Sequence, residues 1–466
     1  MRPRSLLLLL PALFLVEVFF GEAGLWLHVG GFSIREVLFG LAVLSMYAYA
    51  ALFWRRLEFS RVDLAVLFFL AVNVVWGFLV PALHERSLGL AFADFGGVFV
   101  LLLYFPVAAL ARGGVLSWER PRGLFMDAAL LLALLQVALW TLATLRPGLM
   151  VGARNFLLEL YGAPEIYIGP MPDGFFRVMP VTALFLIPAF FALSHTLVTG
   201  RRPLIFTVLL LLVSGGLVVA YSRTFWLAVM LGLSLALAGV LLKWRTMIPP
   251  VARIYTLGRE LLPAAVFVAA FALVIAVGFA HQNLAGPSAS QPDDEGSASA
   301  ERAASTLDAQ DRSVAIKLQQ IPPLLAEWRE SPAFGEGFGA SAEDFARSEE
   351  TPFSYEMLAP ALLMKLGVVG GLLWLAPLIY FLVDGLRSAA ASRPPGTADR
   401  GRFAVAGFVA FALAVQSNPL LFNFVGMTLL LFYLLELSAI RDEREPRKEP
   451  KEEPAQGADY LLRLPR

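Results

Sequence analysis

The sequence predicts an all-α, polytopic integral membrane protein of about twelve transmembrane helices, with one large loop between the ninth and the tenth. Three observations lead there. Of 466 residues, 58% are hydrophobic and 16% charged, with mean hydropathy +0.69; a soluble core of this size cannot hide so much apolar surface. Apolar windows long enough to cross about 30 Å of hydrocarbon recur along the chain. Between them Lys and Arg gather in every second connection, the bias that orients spans in a bilayer.

The windows lie near 5–20, 36–54, 62–83, 88–111, 125–145, 178–199, 203–221, 225–242, 260–280, 358–383, 403–418 and 420–438. The first follows Arg2 and Arg4 and ends near Gly21-Glu22-Ala23. It reads either as a cleaved signal peptide or as an uncleaved anchor, and Glu17 together with a weak small-residue site favours the anchor. The basic residues group as Arg2 and Arg4; Arg55, Arg56 and Arg61; Arg112, Arg120 and Arg122; Arg201 and Arg202; Lys243, Arg245, Arg253 and Arg259; Arg387, Arg393, Arg400 and Arg402. By the positive-inside rule these connections and both termini are cytoplasmic, which places residues 146–177 and 282–357 on the outer side of the cytoplasmic membrane.

The bundle thus occupies residues 1–440, with loop 282–357 inserted in it. Within the loop, Gly286 to Thr306 is rich in Ser, Ala, Gly, Pro and acids and reads as a flexible linker. From Val314 the pattern changes: Val314, Leu318, Ile321, Leu325 and Trp328 recur at spacings of four and three, an amphipathic helix interrupted or restarted at Pro322-Pro323. Such a helix lies on the membrane interface, covers the bundle as a lid, or simply packs against it. The tail from Arg441 to Arg466 alternates Arg and Lys with Glu and Pro and reads as a disordered cytoplasmic segment.

Composition also excludes chemistry. With no Cys there is no disulfide, thiolate metal site or Cys nucleophile. His28, His84, His195 and His281 are too scattered to suggest a metal site. No Walker, dinucleotide or zinc pattern occurs, so neither cofactor nor metal is expected. Gly335-Glu336-Gly337-Phe338-Gly339 has no strand before it and no Gly-Lys-Ser/Thr after it; it reads as a tight turn needing positive φ.

What remains is a set of charges on the outer side. Arg35, Arg177 and Arg223 stand at outer helix ends, Arg223 in the very short turn Tyr221-Ser222-Arg223-Thr224, and Arg312 belongs to the large loop. Guanidinium groups converging there would grip a phosphate or pyrophosphate through bidentate bonds; the alternative is that each snorkels to a lipid headgroup. Asp94, about 9 Å inside its span at the usual helical rise, is either an arginine partner or a structural hydrogen-bonding group. Glu356 stands where the loop meets the next span, and an ionisable group there is a functional candidate. It serves either as a proton acceptor or as an acid complementing a helix dipole.

These residues resemble the bacterial O-antigen ligase and polysaccharide polymerase superfamily of membrane glycosyltransferases. Tyr221-Ser222-Arg223-Thr224-Phe225-Trp226 is similar to its Ser-Arg turn entering a helix. Ser331-Pro332-Ala333-Phe334-Gly335-Glu336-Gly337-Phe338-Gly339 is similar to its proline-glycine element, Leu366-Gly367-Val368-Val369-Gly370 to the glycine helix that follows, and Ser417-Asn418-Pro419 to a late Asn-Pro element.

The resemblance implies an undecaprenyl-pyrophosphate-linked glycan as donor, an acceptor glycan or lipid, and transfer at the periplasmic face without nucleotide sugar or metal. Chain-length or assembly proteins are the expected partners, and nucleic acid is not. It carries the catalytic arginines onto Arg223 and Arg312, while Arg177, Arg35 and Asp94 are candidate substrate-binding groups by their own positions. Ligases have a His eleven residues before the first glycine of the glycine helix; here that position is Glu356. The departure moves the expectation toward a polymerase, or a ligase with another acceptor. A transporter or flippase for a lipid-linked glycan is the alternative, but the sequence lacks paired broken helices and its candidate residues cluster on one face.

Overall fold

A computed structural model describes residues 3–21, 28–29, 32–54, 57–146, 148–152, 155, 167–170, 175–200, 202–247, 250–284, 312–343, 345, 351–390, 395–417 and 420–443. Fourteen helices organise it. They are α1 (Pro3–Phe20), α2 (Ile34–Leu52), α3 (Arg61–Leu83), α4 (Leu88–Arg112), α5 (Glu119–Leu145), α6 (Val181–Thr199), α7 (Pro203–Val219), α8 (Arg223–Met247), α9 (Pro250–Leu284), α10 (Arg312–Gln319), α11 (Ile321–Glu330), α12 (Leu358–Ala390), α13 (Pro395–Ala414) and α14 (Phe424–Asp442).

Among the described residues, nine of these are long and apolar enough to cross a membrane: α2, α3, α4, α5, α6, α8, α9, α12 and α14. The chain is therefore a polytopic membrane protein. The other expected windows also form helices, α1, α7 and α13, but α7 is shorter and α13 carries Asp399, Arg400 and Arg402 in its first half. Two short antiparallel hairpins were not anticipated. The first pairs β1 (His28–Val29) with β2 (Phe32–Ser33), and the second pairs β3 (Tyr167–Pro170) with β4 (Phe176–Met179). The linker Gly286–Thr306, Asn418-Pro419 and the tail beyond Glu443 fall outside the described residues.

Helix starts follow local chemistry. Ser33 and Glu36 close a capping box on α2, the Glu36 amide donating to Ser33 Oγ at 3.3 Å and the Ser33 amide to Glu36 Oε2 at 2.8 Å. Asn423 caps α14 by accepting from the Gly426 amide at 2.9 Å. In the packed bundle α6 and α14 are the most enclosed spans, while leucines of α2, α3, α7 and α12 project outward; in lipid that outward surface needs no protein cover.

The basic residues read as one row do gather at one end. Arg112, closing α4, donates to Asp63 at the start of α3 at 2.6 Å. Arg400 donates to Glu436 late in α14 at 2.7 Å, with Arg122 of α5 3.5 Å from the same carboxylate. Arg402 grips Glu260 of α9 with two nitrogens, each at 2.8 Å. Six of these seven side chains, all but that of Arg122, are almost fully buried, and a buried charge is tolerated only when paired.

The large loop does not lie apart from the bundle. Gln320 separates α10 from α11, and Pro322 and Pro323 fall in the first turn of α11, where a missing N–H costs nothing. Leu324, not the expected Leu325, is the buried residue of α11, and Leu318 is exposed. Leu324, Ala340, Ala342, Tyr355, Ala361 and Met364 form a small core of their own, so α11 packs against α12.

From there the chain dives into the bundle. Residues 335 to 340 are buried, and Gly335, Gly337 and Gly339 have φ of +66°, +85° and +81°, the positive angles the sequence demanded. Helix α12, the expected glycine helix, is broken at Gly367 (φ 62°, ψ −169°). The loop repairs that break. Glu336 and Gly337 donate their amides to the carbonyls of Met364 and Lys365 at 3.0 and 2.8 Å, while the amides of Val368 and Val369 donate to Pro332 and Ala333 at 3.0 and 2.9 Å. A π-turn at Val75–Leu79 in α3 frees the Trp76 carbonyl, which accepts from the Phe338 amide at 2.9 Å. Irregular backbone at this depth is tolerable because every freed group named here has a partner.

Candidate functional site

The end opposite the paired basic row holds the candidate charges. Arg35 begins α2 and is buried, its Nε donating to Glu17 of α1 at 2.7 Å. Arg35 Nη2 and Glu17 Oε1 are buried without a hydrogen-bond partner. Arg177 lies in β4 and donates through Nε to the Ala220 carbonyl at 2.9 Å. Ala220 opens the turn that leads through Tyr221 (φ 49°) to Arg223, the first residue of α8. Phe175 stacks on Tyr221 with ring centres 4.3 Å apart. The second hairpin therefore buttresses the Ser-Arg turn and ties Arg177 to the segment that leads into Arg223.

Glu356 lies two residues ahead of α12, not inside its first turn. Its amide donates to Gln320 Oε1 at 2.9 Å, and its Oε2 is 3.6 Å from Lys317 Nζ. Both partners come from the helix that starts at Arg312 or its end; the Arg312 side chain is outside the described residues. The structure thus joins Glu356 to the α10 segment through Lys317 and Gln320.

Asp94 of α4, open between an arginine partner and a structural hydrogen-bonding group, pairs with a lysine and also accepts a backbone amide. Lys365 Nζ donates to Asp94 Oδ2 at 2.6 Å, and the Gly339 amide donates to the same oxygen at 2.8 Å. Lys365 also donates to the Phe353 carbonyl at 2.9 Å and lies 5.8 and 5.9 Å from the ring centres of Phe353 and Tyr355. Tyr355 Oη accepts the Ala342 amide at 2.6 Å. Burial pushes that phenol above its ordinary pKa, more than the Ala342 bond lowers it, so it stays protonated at neutral pH.

Sequence reasoning missed Lys365, although a signal existed: it is the one charged residue in the apolar run 358–383. It also missed the ion pair between Arg86 and Glu336. Glu327, Glu330 and Glu336 bring their carboxylate oxygens within 4.8 Å of one another, the one described grouping with enough acids to hold a cation. Two of the three are already engaged, Glu336 by Arg86 and Glu327 by the Glu343 amide at 3.1 Å. A cavity lined by Arg122, His195, Arg400 and Glu436 lies at the opposite end, away from these groups.

Chemically, one end of the bundle thus offers guanidinium groups suited to phosphate oxygens and a part-exposed carboxylate able to accept a proton. Residues 207–375 match the family model described as O-Antigen ligase. The match runs from α7 through Arg223, the loop and Glu356 to the second segment of α12; Arg35, Asp94 and Arg177 lie outside it. No curated protein and no solved structure matches the chain.

Proposed function

We propose that this membrane protein of the O-antigen ligase family, with its family domain in residues 207–375, is a glycosyltransferase acting at the periplasmic face of the cytoplasmic membrane. Its donor is an undecaprenyl-pyrophosphate-linked oligosaccharide, and its product is a polymerised or ligated surface polysaccharide. The observation that carries the reading is Glu356, a carboxylate at the junction of loop and span, tied by Gln320 and Lys317 to the helix that Arg312 begins. The pairing of Arg177 with the turn of Arg223 at the same end supports it.

In this reading the acceptor hydroxyl oxygen attacks the anomeric carbon of the donor sugar while Glu356 takes its proton. The bond from that carbon to the phosphate oxygen breaks, and undecaprenyl pyrophosphate leaves with the electron pair. Arg223 and Arg312 meet the negative charge that grows on the leaving group. Arg177, from β4, and Arg35, from the start of α2, bind the donor, and Asp94 acts from beneath through Lys365 and Gly339.

The test is transfer by the purified protein in lipid nanodiscs, given only the lipid-pyrophosphate oligosaccharide and acceptor, without ATP, nucleotide sugar or added metal. Arg223→Lys keeps the charge but loses the planar fork. It is expected to slow transfer about a hundredfold, on the order of 3 kcal/mol of transition-state stabilisation. Near-normal products from Arg223→Ala at equal abundance would sink the pyrophosphate clamp.

The same reading has α1, α7 and α13 cross the membrane too, giving twelve spans in residues 1–440. The loop 282–357 is then periplasmic, and both termini, with the tail 441–466, are cytoplasmic. Reporter fusions at Ser290 and Ser392 should report outside and inside respectively. If both report the same side, the orientation and the periplasmic site fall together.

A further inference from the structure

We infer that Asp94 and Lys365 are a positioning pair that sets where Glu356 stands, an inference that rests on the proposed role of Glu356. The pair lies beneath the loop and reaches both of its ends. Asp94 accepts the Gly339 amide, where the glycine-rich segment leaves the bundle, and Lys365 donates to the Phe353 carbonyl, three residues before Glu356. Between those anchors the chain is described only in part, but its return is fixed: Tyr355 Oη holds the Ala342 amide, and the Tyr355 ring faces the Lys365 ammonium.

The chemistry of Lys365 makes this tether specific. The residue is 5% exposed, and its ammonium has three hydrogens to satisfy. One goes to Asp94 and one to Phe353, and the faces of Phe353 and Tyr355 lie about it at cation–π range. No solvent-facing role is open to a lysine enclosed this way. Its location has a second consequence. Lys365 occupies the last turn before the break at Gly367, and its own carbonyl accepts the Gly337 amide. One residue therefore fixes the incoming glycine segment through its backbone and the outgoing segment, which ends at Glu356, through its side chain.

A merely structural pair would stabilise the bundle without governing the loop. A positioning pair predicts that breaking it frees the segment before Glu356 and lowers turnover, while the donor, bound elsewhere, keeps its affinity. The chain has no cysteine, so a single Ser354→Cys substitution gives one attachment point for a spin label, two residues from Glu356.

In nanodiscs, Asp94→Asn and Lys365→Met are expected to raise label mobility at position 354 and to lower kcat at least tenfold at unchanged donor KM. Lys365→Arg should recover part of both. Glu356→Gln should lower kcat without mobilising the label, which separates failure of the tether from failure of the proton-acceptor reading. Asp94→Asn keeps the size and the acceptor for Gly339, so it remains informative if Lys365→Met does not fold. A label as immobile in folded Asp94→Asn as in the parent, or a mobile label with unchanged kcat, overturns the inference.

Discussion

Substituting Glu356 with Gln is expected to lower the rate of glycan transfer about 10²- to 10⁴-fold, the range that a positioned general base contributes, with little change in donor binding. The amide keeps the size of the side chain and its hydrogen bonding but has no site for the acceptor's proton. Loss confined to kcat marks an interaction made in the transition state. Had Glu356 served only to complement the dipole of α12, the same change would cost a few tenths of a kcal/mol of stability and leave catalysis intact. Its place two residues ahead of the helix, with Lys317 of α10 3.6 Å from its carboxylate, already turns it toward the loop. Glu356→His supplies a different proton acceptor, titrating near pH 6.5 when unperturbed, and should keep part of the rate. Steady-state transfer by wild type and Glu356→Gln at matched folding decides the matter, and equal rates assign Glu356 to structure.

Gly367→Ala should strongly destabilise the bundle. At φ 62° and ψ −169° the backbone occupies a region essentially reserved for glycine, which costs another residue about 1–3 kcal/mol. A Cβ there would stand 2.5 Å from the Ala333 carbonyl and from the Gly335 amide nitrogen. These are main-chain atoms, so no side-chain rotation relieves the clash, and forced repacking adds about 1–3 kcal/mol. Movement of the loop would also strip Val368 and Val369 of their acceptors. Together these losses take a large part of a stability typically near 5–15 kcal/mol. Gly371 is the control: a Cβ there meets nothing within 4 Å, and alanine in a helix gains up to about 1 kcal/mol over glycine. Thermal unfolding in detergent should show Gly371→Ala at or above wild type and Gly367→Ala far below it or absent. Equal melting of the two proteins would refute the account of the broken helix.

Much of the fold was legible because hydrocarbon imposes a single demand, long apolar runs, and each predicted window holds a helix. What stayed hidden was where those helices give up their regularity. The π-turn at Trp76 and the break at Gly367 are set by contacts between segments far apart in sequence, and no local period records them. Leu325 was placed on the buried face of α11 by a spacing that ran through Gln320; the helix restarts there, and the phase shifts to Leu324. Arg177 and Arg223 were legible as outer-end charges, but the bond from Arg177 to the Ala220 carbonyl, in the turn before Arg223, depends on a hairpin of four-residue strands that carries too little pattern to foresee. Lys365 was in plain view, and the glycines beside it drew the reading to backbone shape at the expense of charge.

The mutual repair of loop and helices also sets an order of events in biosynthesis. Trp76 Nε1 donates to the Phe334 carbonyl at 2.6 Å, across 258 positions of sequence. At about 5–20 residues per second, the ribosome delivers that partner roughly 13–50 s after α3 has been made. Through that interval the π-turn of α3 has no acceptor-donor match from the loop, and α12 has yet to be made. The early helices must therefore wait in the bilayer as an unfinished socket, and a nascent chain that stops short of Pro332 leaves it open. Completion of this protein is signalled from its late middle, when the segment between α11 and α12 packs back against the helices that preceded it.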